Sequence, residues 1–251
     1  MAPQLCELAP QSWCRYFEPM AGGAAMFFSI RPRIALLADT NADLVNFYSV
    51  LKSSRFALIH KLSRLAASRE IYYLLRSAKP RAPLQRAVRF AYLNRLAWNG
   101  LYRVNRSGLF NVPIGDRLPT NMWDVASLTA ASNALQDADL LHGDFRDTTA
   151  SARANDFVFF DPPYPRGAQN ATGFNRYTAH FFKAQDHSDL ALLVEKLTRR
   201  SVMVMLTLAD IPELDRVYPR TLRRTRVKSK SLIACNGKDR RQVSEIILRN
   251  Y

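Results

Sequence analysis

Along the 251-residue chain the spacing of apolar and polar positions changes character twice. In the first part, RYFEP predicts a strand, AGGAAMFFSI a glycine turn entering a helix, and RIALLAD a second strand. From Asn41 to about Ala78 the apolar residues recur at three and four, first as Leu44, Phe47, Tyr48 and Leu51, then as Leu58, Leu62 and Leu65. That spacing predicts helix, and KPRAP breaks it. LQRAVRFAYLNRLAW is helical again and leads into NGLYRVNRSGLFNVPIG, whose Asn, Gly and Arg content predicts a loop or hairpin. LPTNMWDVASLTAASNAL predicts another helix, capped by Thr120 or Asn121. Strand patterns return in ADLLHGD, DFVFFD, SVMVMLTL and VSEIILRNY, and between them HSDLALLVEKLTRR predicts an amphipathic helix with Ser188 as its cap.

Strands alternating with helical stretches predict an α/β domain around a largely parallel sheet, interrupted by a helical insertion. The boundaries fall at 1–49 and 138–251 for the α/β domain and 50–137 for the insertion. A hydrophobic content of 48% supports a sizeable core. The longest apolar runs, such as SVMVMLTLA, are well short of a bilayer span and no leader pattern opens the chain, so a soluble cytoplasmic protein is expected. Cys6, Cys14 and Cys235 are far apart and lack metal-ligand spacing, which predicts reduced structural thiols. His60, His142, His180 and His187 show no metal spacing either, and no metal is expected.

Charge changes the picture. The net charge is +15, and Glu70 is the only acid between Leu44 and Gly115, against thirteen Lys and Arg. A second acid-free cluster runs from Arg220 to Lys230 through Arg223, Arg224, Arg226 and Lys228. A surplus concentrated in this way predicts a polyanionic partner, with nucleic acid the natural one and salt-dependent binding the consequence.

The chemistry sits at two strand ends. EPMAGGAA lacks both the dinucleotide-binding spacing and the Lys-Ser or Lys-Thr of a phosphate loop, which leaves another nucleoside-containing ligand. Asp39, closing RIALLAD, is placed to take two ribose hydroxyls, and a strand-ending Asp serves equally as a helix cap; the pattern leaves both readings open. In FVFFDPPY the apolar run fits a central strand, and two prolines end it. Termination alone would account for Pro162 and Pro163. The chemical reading is that Asp161 and a carbonyl aimed by rigid Pro162 accept the two hydrogens of an exocyclic amine, while Tyr164 offers a flat face to an extruded base.

With these residues in place, the chain resembles the Dam-type, class alpha, site-specific DNA adenine-N6 methyltransferases. The matching stretches run in family order through most of the chain: YFEPMAGGAAMFF, LLADTNADLVNFY, FAYLNRLAWNGLYRVNRSGLFNVPIG, LLHGDF, FVFFDPPY and SKSLIACNGKDRRQVSEIILRNY. The resemblance implies a Rossmann-like methyltransferase fold. It also implies S-adenosylmethionine as cofactor, held near Glu18, Gly22, Gly23, Asp39, Asp144, Phe145 and Asp161. The substrate it implies is an adenine flipped out of double-stranded DNA against Asp161, Pro162, Pro163 and Tyr164. Arg95, Asn99, Arg103, Asn105 and Arg106 fall in the family's target-recognition region and become DNA-binding candidates. Asn111 and Pro113 are expected to shape that loop.

Two departures bear on this expectation. Family members begin with a segment resembling P-x-x-K-W-A-G-G-K upstream of the glycine turn, and nothing before Arg15 matches it, which implies weakened cofactor binding. In TLAD, Leu208 stands where the family carries a polar residue. The competing readings are therefore a DNA-binding protein that keeps the scaffold without turnover, and a methyltransferase acting on RNA or protein side chains. Oligomeric state is not legible from the pattern.

Overall fold

A computed structural model describes residues 2–105, 107–163, 182–230 and 242–251. In chain order the elements are α1 (Ala2–Leu8), β1 (Tyr16–Glu18), α2 (Ala25–Ile30), β2 (Ala35–Asp39), α3 (Ala42–Ser53), α4 (Arg55–Ser63), α5 (Arg69–Ser77), α6 (Pro83–Leu96) and α7 (Val125–Ala134). There follow β3 (Ala138–His142), α8 (Phe145–Thr148), β4 (Phe157–Phe160), α9 (Ala184–Arg199), β5 (Met203–Ala209), α10 (Pro212–Asp215), β6 (Arg223–Lys230) and β7 (Gln242–Arg249). The chain divides into two compact units, Met1–Thr40 with Gly143–Tyr251, and Asn41–His142. The sequence pattern places these boundaries at 49/50 and 137/138.

The strands of the first unit lie in the order β2-β1-β4-β5-β7-β6. β1, β2, β4 and β5 are parallel, and β7 runs antiparallel to both β5 and β6. All four residues of β4 are buried, because a central parallel strand is covered on both faces and needs side chains that can leave water in both directions. Val158 and Phe160 join Phe17, Val204, Leu206, Leu190 and Val194 in one apolar cluster. The register pairs Phe160 with Leu206, which sets Asp161 next to Thr207. At the other end of β4, buried Asp156 accepts hydrogen bonds from the backbone N–H of Arg15 (3.1 Å) and of Arg153 (2.8 Å), and pairs with the Arg15 guanidinium at 2.6 Å.

The second unit is helical except for β3. Its core gathers Tyr72, Tyr92, Leu93 and Leu96 with Phe110, Val112 and Ile114 of the loop after α6. The single helical pattern from Asn41 to Ala78 resolves into three helices. Ser54, at φ −141°, separates α3 from α4, and Ser68 caps α5 by accepting from the Ile71 N–H at 3.3 Å.

Three local expectations are corrected. Helix α7 is capped by Asp124, whose carboxylate accepts from the Ser127 N–H at 3.1 Å, and Thr120 and Asn121 precede the cap. Helix α9 begins a turn before Ser188, whose hydroxyl donates back to the Ala184 carbonyl; Asp186 instead accepts from the Lys183 N–H at 2.7 Å. The basic stretch from Arg223 forms strand β6, which the sequence reading did not foresee. Among the described residues it is an edge strand, paired with β7, and an edge does not require strict apolar alternation. Among the described residues no helix is long and apolar enough to cross a membrane.

Candidate active site

The parallel strands of the first unit deliver their carboxyl ends to one edge of the sheet, where open α/β sheets bind ligands. β1 ends in Glu18, β2 in Asp39, and β4 leads directly into Asp161.

The turn after β1 is built by backbone conformation. Gly22 has φ +46° and Ala24 φ +48°, so two residues in three take the left-handed conformation, one of them carrying a side chain. Two bonds fix the turn to β2: the Ala21 N–H to the Ala38 carbonyl, and the Gly22 N–H to the Asp39 carboxylate, both at 2.9 Å. A methyl group on Gly22 or Gly23 would meet nothing within 4 Å among the described residues. The helix-capping alternative for Asp39 falls away, because Asn41 caps α3 by accepting from the Asp43 and Leu44 N–H groups.

Glu18 is 2% exposed. Its Oε2 accepts from the Tyr16 hydroxyl (2.7 Å) and from the Phe27 N–H (3.0 Å), tying the end of β1 to α2. Burial pushes its carboxyl up to about 8, opposed by those two hydrogen bonds and reinforced by the charge of Asp161. At neutral pH Glu18 is therefore mainly protonated.

The Asp39 carbonyl accepts the Gly143 N–H at 3.1 Å, which brings Asp144 to the same edge. Asp144 caps α8 through the Arg146 N–H (2.9 Å), and its carboxylate receives Arg146 Nη1 at 3.0 Å on each oxygen. Arg146 also pairs with Asp186 (2.5 Å) and Asp189 (2.7 Å) of α9. Phe145 is buried, with the Arg146 guanidinium 4.4 Å from its ring centroid and the Phe182 ring 5.5 Å away.

Asp161 accepts a hydrogen bond from the Thr207 hydroxyl. The residue as a whole meets solvent, yet its carboxyl is closely surrounded by protein atoms. This crowding raises its pKa, with the Thr207 hydrogen bond acting in the opposite direction and Glu245 adding to the rise. Pro162 is buried and Pro163 exposed, while Tyr164 lies outside the described residues. In a chain of net charge +15, this edge collects four acids, Glu18, Asp39, Asp144 and Asp161.

In the second unit the recognition candidates sit on the segment after α6. Asn99 has φ +53° and opens a tight turn at Trp98–Gly100. The isolated bridges Ala97↔Ile114 and Val104↔Phe110 make the rest a hairpin. The Asn105 carboxamide oxygen accepts from the Ser107 N–H (3.0 Å) and the Leu109 N–H (2.9 Å), so it shapes the hairpin tip. Arg103 Nε donates to Asn111 at 2.8 Å, and Arg95 to the Asn121 carbonyl at 3.2 Å. The Pro113 carbonyl accepts from the Trp98 N–H at 3.0 Å. Arg106 lies outside the described residues. A cavity of about 610 Å³ in this unit is lined by Lys52, Arg55, Phe56, Ser132 and Asn133, none of them a sequence candidate. It gathers no acid, whereas the strand-end edge combines carboxylates, perturbed titration and a glycine turn, and we take that edge as the site.

Thr207 and Arg146 leave no local motif, because their side-chain pairings depend on strand register or on a helix distant in sequence. Tyr16 pairs within its own strand, with Glu18 two residues on, where a Tyr-x-Glu alternation is the signal. His187 is buried, its Nδ1 lying 2.9 Å from the Tyr218 hydroxyl.

The strand order and the strand-end carboxylates define a Rossmann-like methyltransferase fold. Residues 1–232 match the model of the D12 class N6 adenine-specific DNA methyltransferases, and the chain belongs to that family. It is 30% identical to the type II methyltransferase M1.LlaDCHI of Lactococcus lactis subsp. cremoris, over all of this chain and 91% of that one. It is also 30% identical to the type II methyltransferase M.MjaIII of Methanocaldococcus jannaschii (94% and 88% covered), and to the DNA adenine methylase of Escherichia coli K12 (92% and 84%). The chain is thus an enzyme that methylates the N6 amine of adenine in DNA. A scaffold retained only for DNA binding is not favoured.

Proposed function

We propose that the first unit binds S-adenosylmethionine and performs the transfer, and that the second unit reads double-stranded DNA. One observation carries this reading: Asp39, at the end of β2, is bonded at once to the glycine turn after β1 and to Gly143, beside Asp144, on the edge of the sheet where β4 leads into Asp161. The glycine turn and the acids around it fit a cationic nucleoside. In this reading Asp39 takes the ribose hydroxyls and Asp144 with Phe145 borders the adenine of the cofactor. Glu18 supports the turn from beneath.

The cofactor supplies a methyl group on a sulfonium. The rest falls to the chain. Adenine's amine is a weak nucleophile because its lone pair is delocalised into the ring. Ionised Asp161 and the Pro162 carbonyl each accept one of its hydrogens and favour the pyramidal nitrogen needed for attack, and Tyr164 offers a stacking face to the flipped base. No covalent enzyme intermediate is required. In the second unit Asn99, Arg103, Arg106 and Arg95 contact bases and phosphates, and Asn105 shapes the tip that carries them.

Two variants test the reading. Asp39→Ala should abolish binding of S-adenosylmethionine in calorimetry. Asp161→Ala should abolish transfer while leaving DNA affinity within about twofold, since that affinity rests on phosphate contacts. Near-normal turnover of Asp161→Ala would overturn it.

A further inference from the structure

The hairpin after α6 is anchored inside the second unit through one carboxylate. Asp43, in the first turn of α3, receives Arg86 of α6 on Oδ1 through Nε (3.2 Å) and Nη2 (2.7 Å). Its other oxygen receives the Tyr102 hydroxyl at 3.2 Å. Tyr102 lies next to Arg103 at the base of the hairpin, and its ring is held as well. Phe90 of α6 lies 5.3 Å from it and Phe110, which bridges to Val104, 5.5 Å, while Phe47 of α3 stands 5.7 Å from Phe90. Burial first, then the Asp43 charge, hold the Tyr102 phenol above its ordinary value, so the hydroxyl stays a donor throughout the working pH range.

The ring contacts and the hydroxyl bond do different work. Tilted rings packed in this way resist separation but can shift against one another at little cost. A phenol bonded to a carboxylate that is itself clamped by a two-pronged guanidinium fixes the remaining degree of freedom. Opposite it, the Tyr72 hydroxyl of α5 donates to the Val112 and Pro113 carbonyls and pins the returning limb.

We propose that Asp43, acting through Tyr102, is a positioning residue for the recognition hairpin and thereby sets how sharply the enzyme selects the sequence around the target adenine. This rests on the reading that the hairpin contacts bases. Removing the bond leaves the hairpin folded but lets Arg103 sample neighbouring base edges, so selection is lost before turnover is.

The test uses the full chain and a pool of duplexes with randomised bases around adenine, with the methylated contexts read by sequencing. Tyr102→Phe keeps the ring and removes the hydroxyl. Its ratio of preferred to next-preferred context should fall about tenfold, the KM for DNA should rise, and the KM for the methyl donor should stay within about twofold of wild type. Asp43→Ala, which removes the hydroxyl's acceptor together with the Arg86 pair, should blunt selection at least as much, and adding Tyr102→Phe to it should cost nothing further, because the hydroxyl's bond is then already gone. Arg103→Ala serves as the reference. If it blunts selection and Tyr102→Phe and Asp43→Ala do not, the positioning role is overturned and the hairpin reading stands. If Arg103→Ala itself leaves selection intact, the hairpin reading falls and the inference with it. An equal loss for every context, with the donor KM rising too, marks a merely structural residue and also overturns it.

Discussion

Thr207, on β5, donates its hydroxyl hydrogen to the carboxylate of Asp161 at the end of β4. The bond favours the ionised carboxyl against the crowding that raises its pKa. Asp161 accepts most strongly from the adenine amine when ionised, so kcat/KM should climb with pH on its acid side and level off once Asp161 has lost its proton. Thr207→Val keeps the shape and removes the donor. Its acid limb should move to higher pH, and its plateau should fall about tenfold through looser placement of the carboxylate. An unshifted limb in pH-rate profiles would remove Thr207 from this role.

Glu18 gives a stability signature of opposite sense to that of a salt-bridged acid. Its carboxyl holds its proton up to about pH 8 in the folded protein, against about 4.5 in the unfolded chain. Between those values the folded state binds more protons, so stability is greatest below about pH 4.5 as far as this group is concerned and declines as pH rises through 8. Glu18→Gln keeps an acceptor for Tyr16 and Phe27 and cannot ionise. Thermal unfolding between pH 6 and 9 should show a falling Tm for wild type and a flatter profile for the variant. Parallel profiles would contradict the protonated assignment.

How much of this was legible in the sequence follows from the range of the interactions. β4 and its terminal Asp161 were readable because four consecutive apolar residues followed by Asp-Pro-Pro encode burial and termination locally. The glycine turn and Asp39 were readable for the same reason. The carboxylate's partner was not: Thr207 reaches Asp161 only because Phe160 pairs with Leu206, and register is a property of the folded sheet. The Asn105 side chain, a base-reading candidate by residue type, holds the Ser107 and Leu109 N–H groups instead, a use set by hairpin geometry. Strand β6 was hidden because an edge strand of Arg, Lys and Thr carries no apolar period.

The turn after β1 contains a strain that can be relieved. Ala24 sits at φ +48° with its side chain fully buried, a conformation that costs a residue with a Cβ about 1 kcal/mol. Ala24→Gly should raise stability by about 0.5 kcal/mol, the relief outweighing the greater entropy of the unfolded chain. Gly22→Ala should lower it by about 1 kcal/mol, although a Cβ there meets nothing within 4 Å, because the cost lies in the backbone. Urea titration of both variants measures this; a destabilised Ala24→Gly would mean that the buried methyl group outweighs the strain.

Asp156 and Asp161 bracket the same strand and should fail in opposite ways. Asp156 is 1% exposed, and its oxygens answer two backbone N–H groups and the Arg15 guanidinium at the end of the sheet remote from the strand-end site. Removing this buried carboxylate leaves the two N–H groups unpaired and the Arg15 guanidinium without its counter-charge, a loss of about 3 to 5 kcal/mol. For a domain of this size that corresponds to a fall in Tm of at least about 6 °C. Asp156→Ala should therefore unfold early but retain near-normal kcat per folded molecule at low temperature, whereas Asp161→Ala should melt close to wild type and transfer no methyl groups. Paired measurements of Tm and single-turnover rate separate the two outcomes. A large loss of rate in folded Asp156→Ala would show that the two ends of β4 are coupled, and the site could no longer be assigned to the strand's carboxyl end alone.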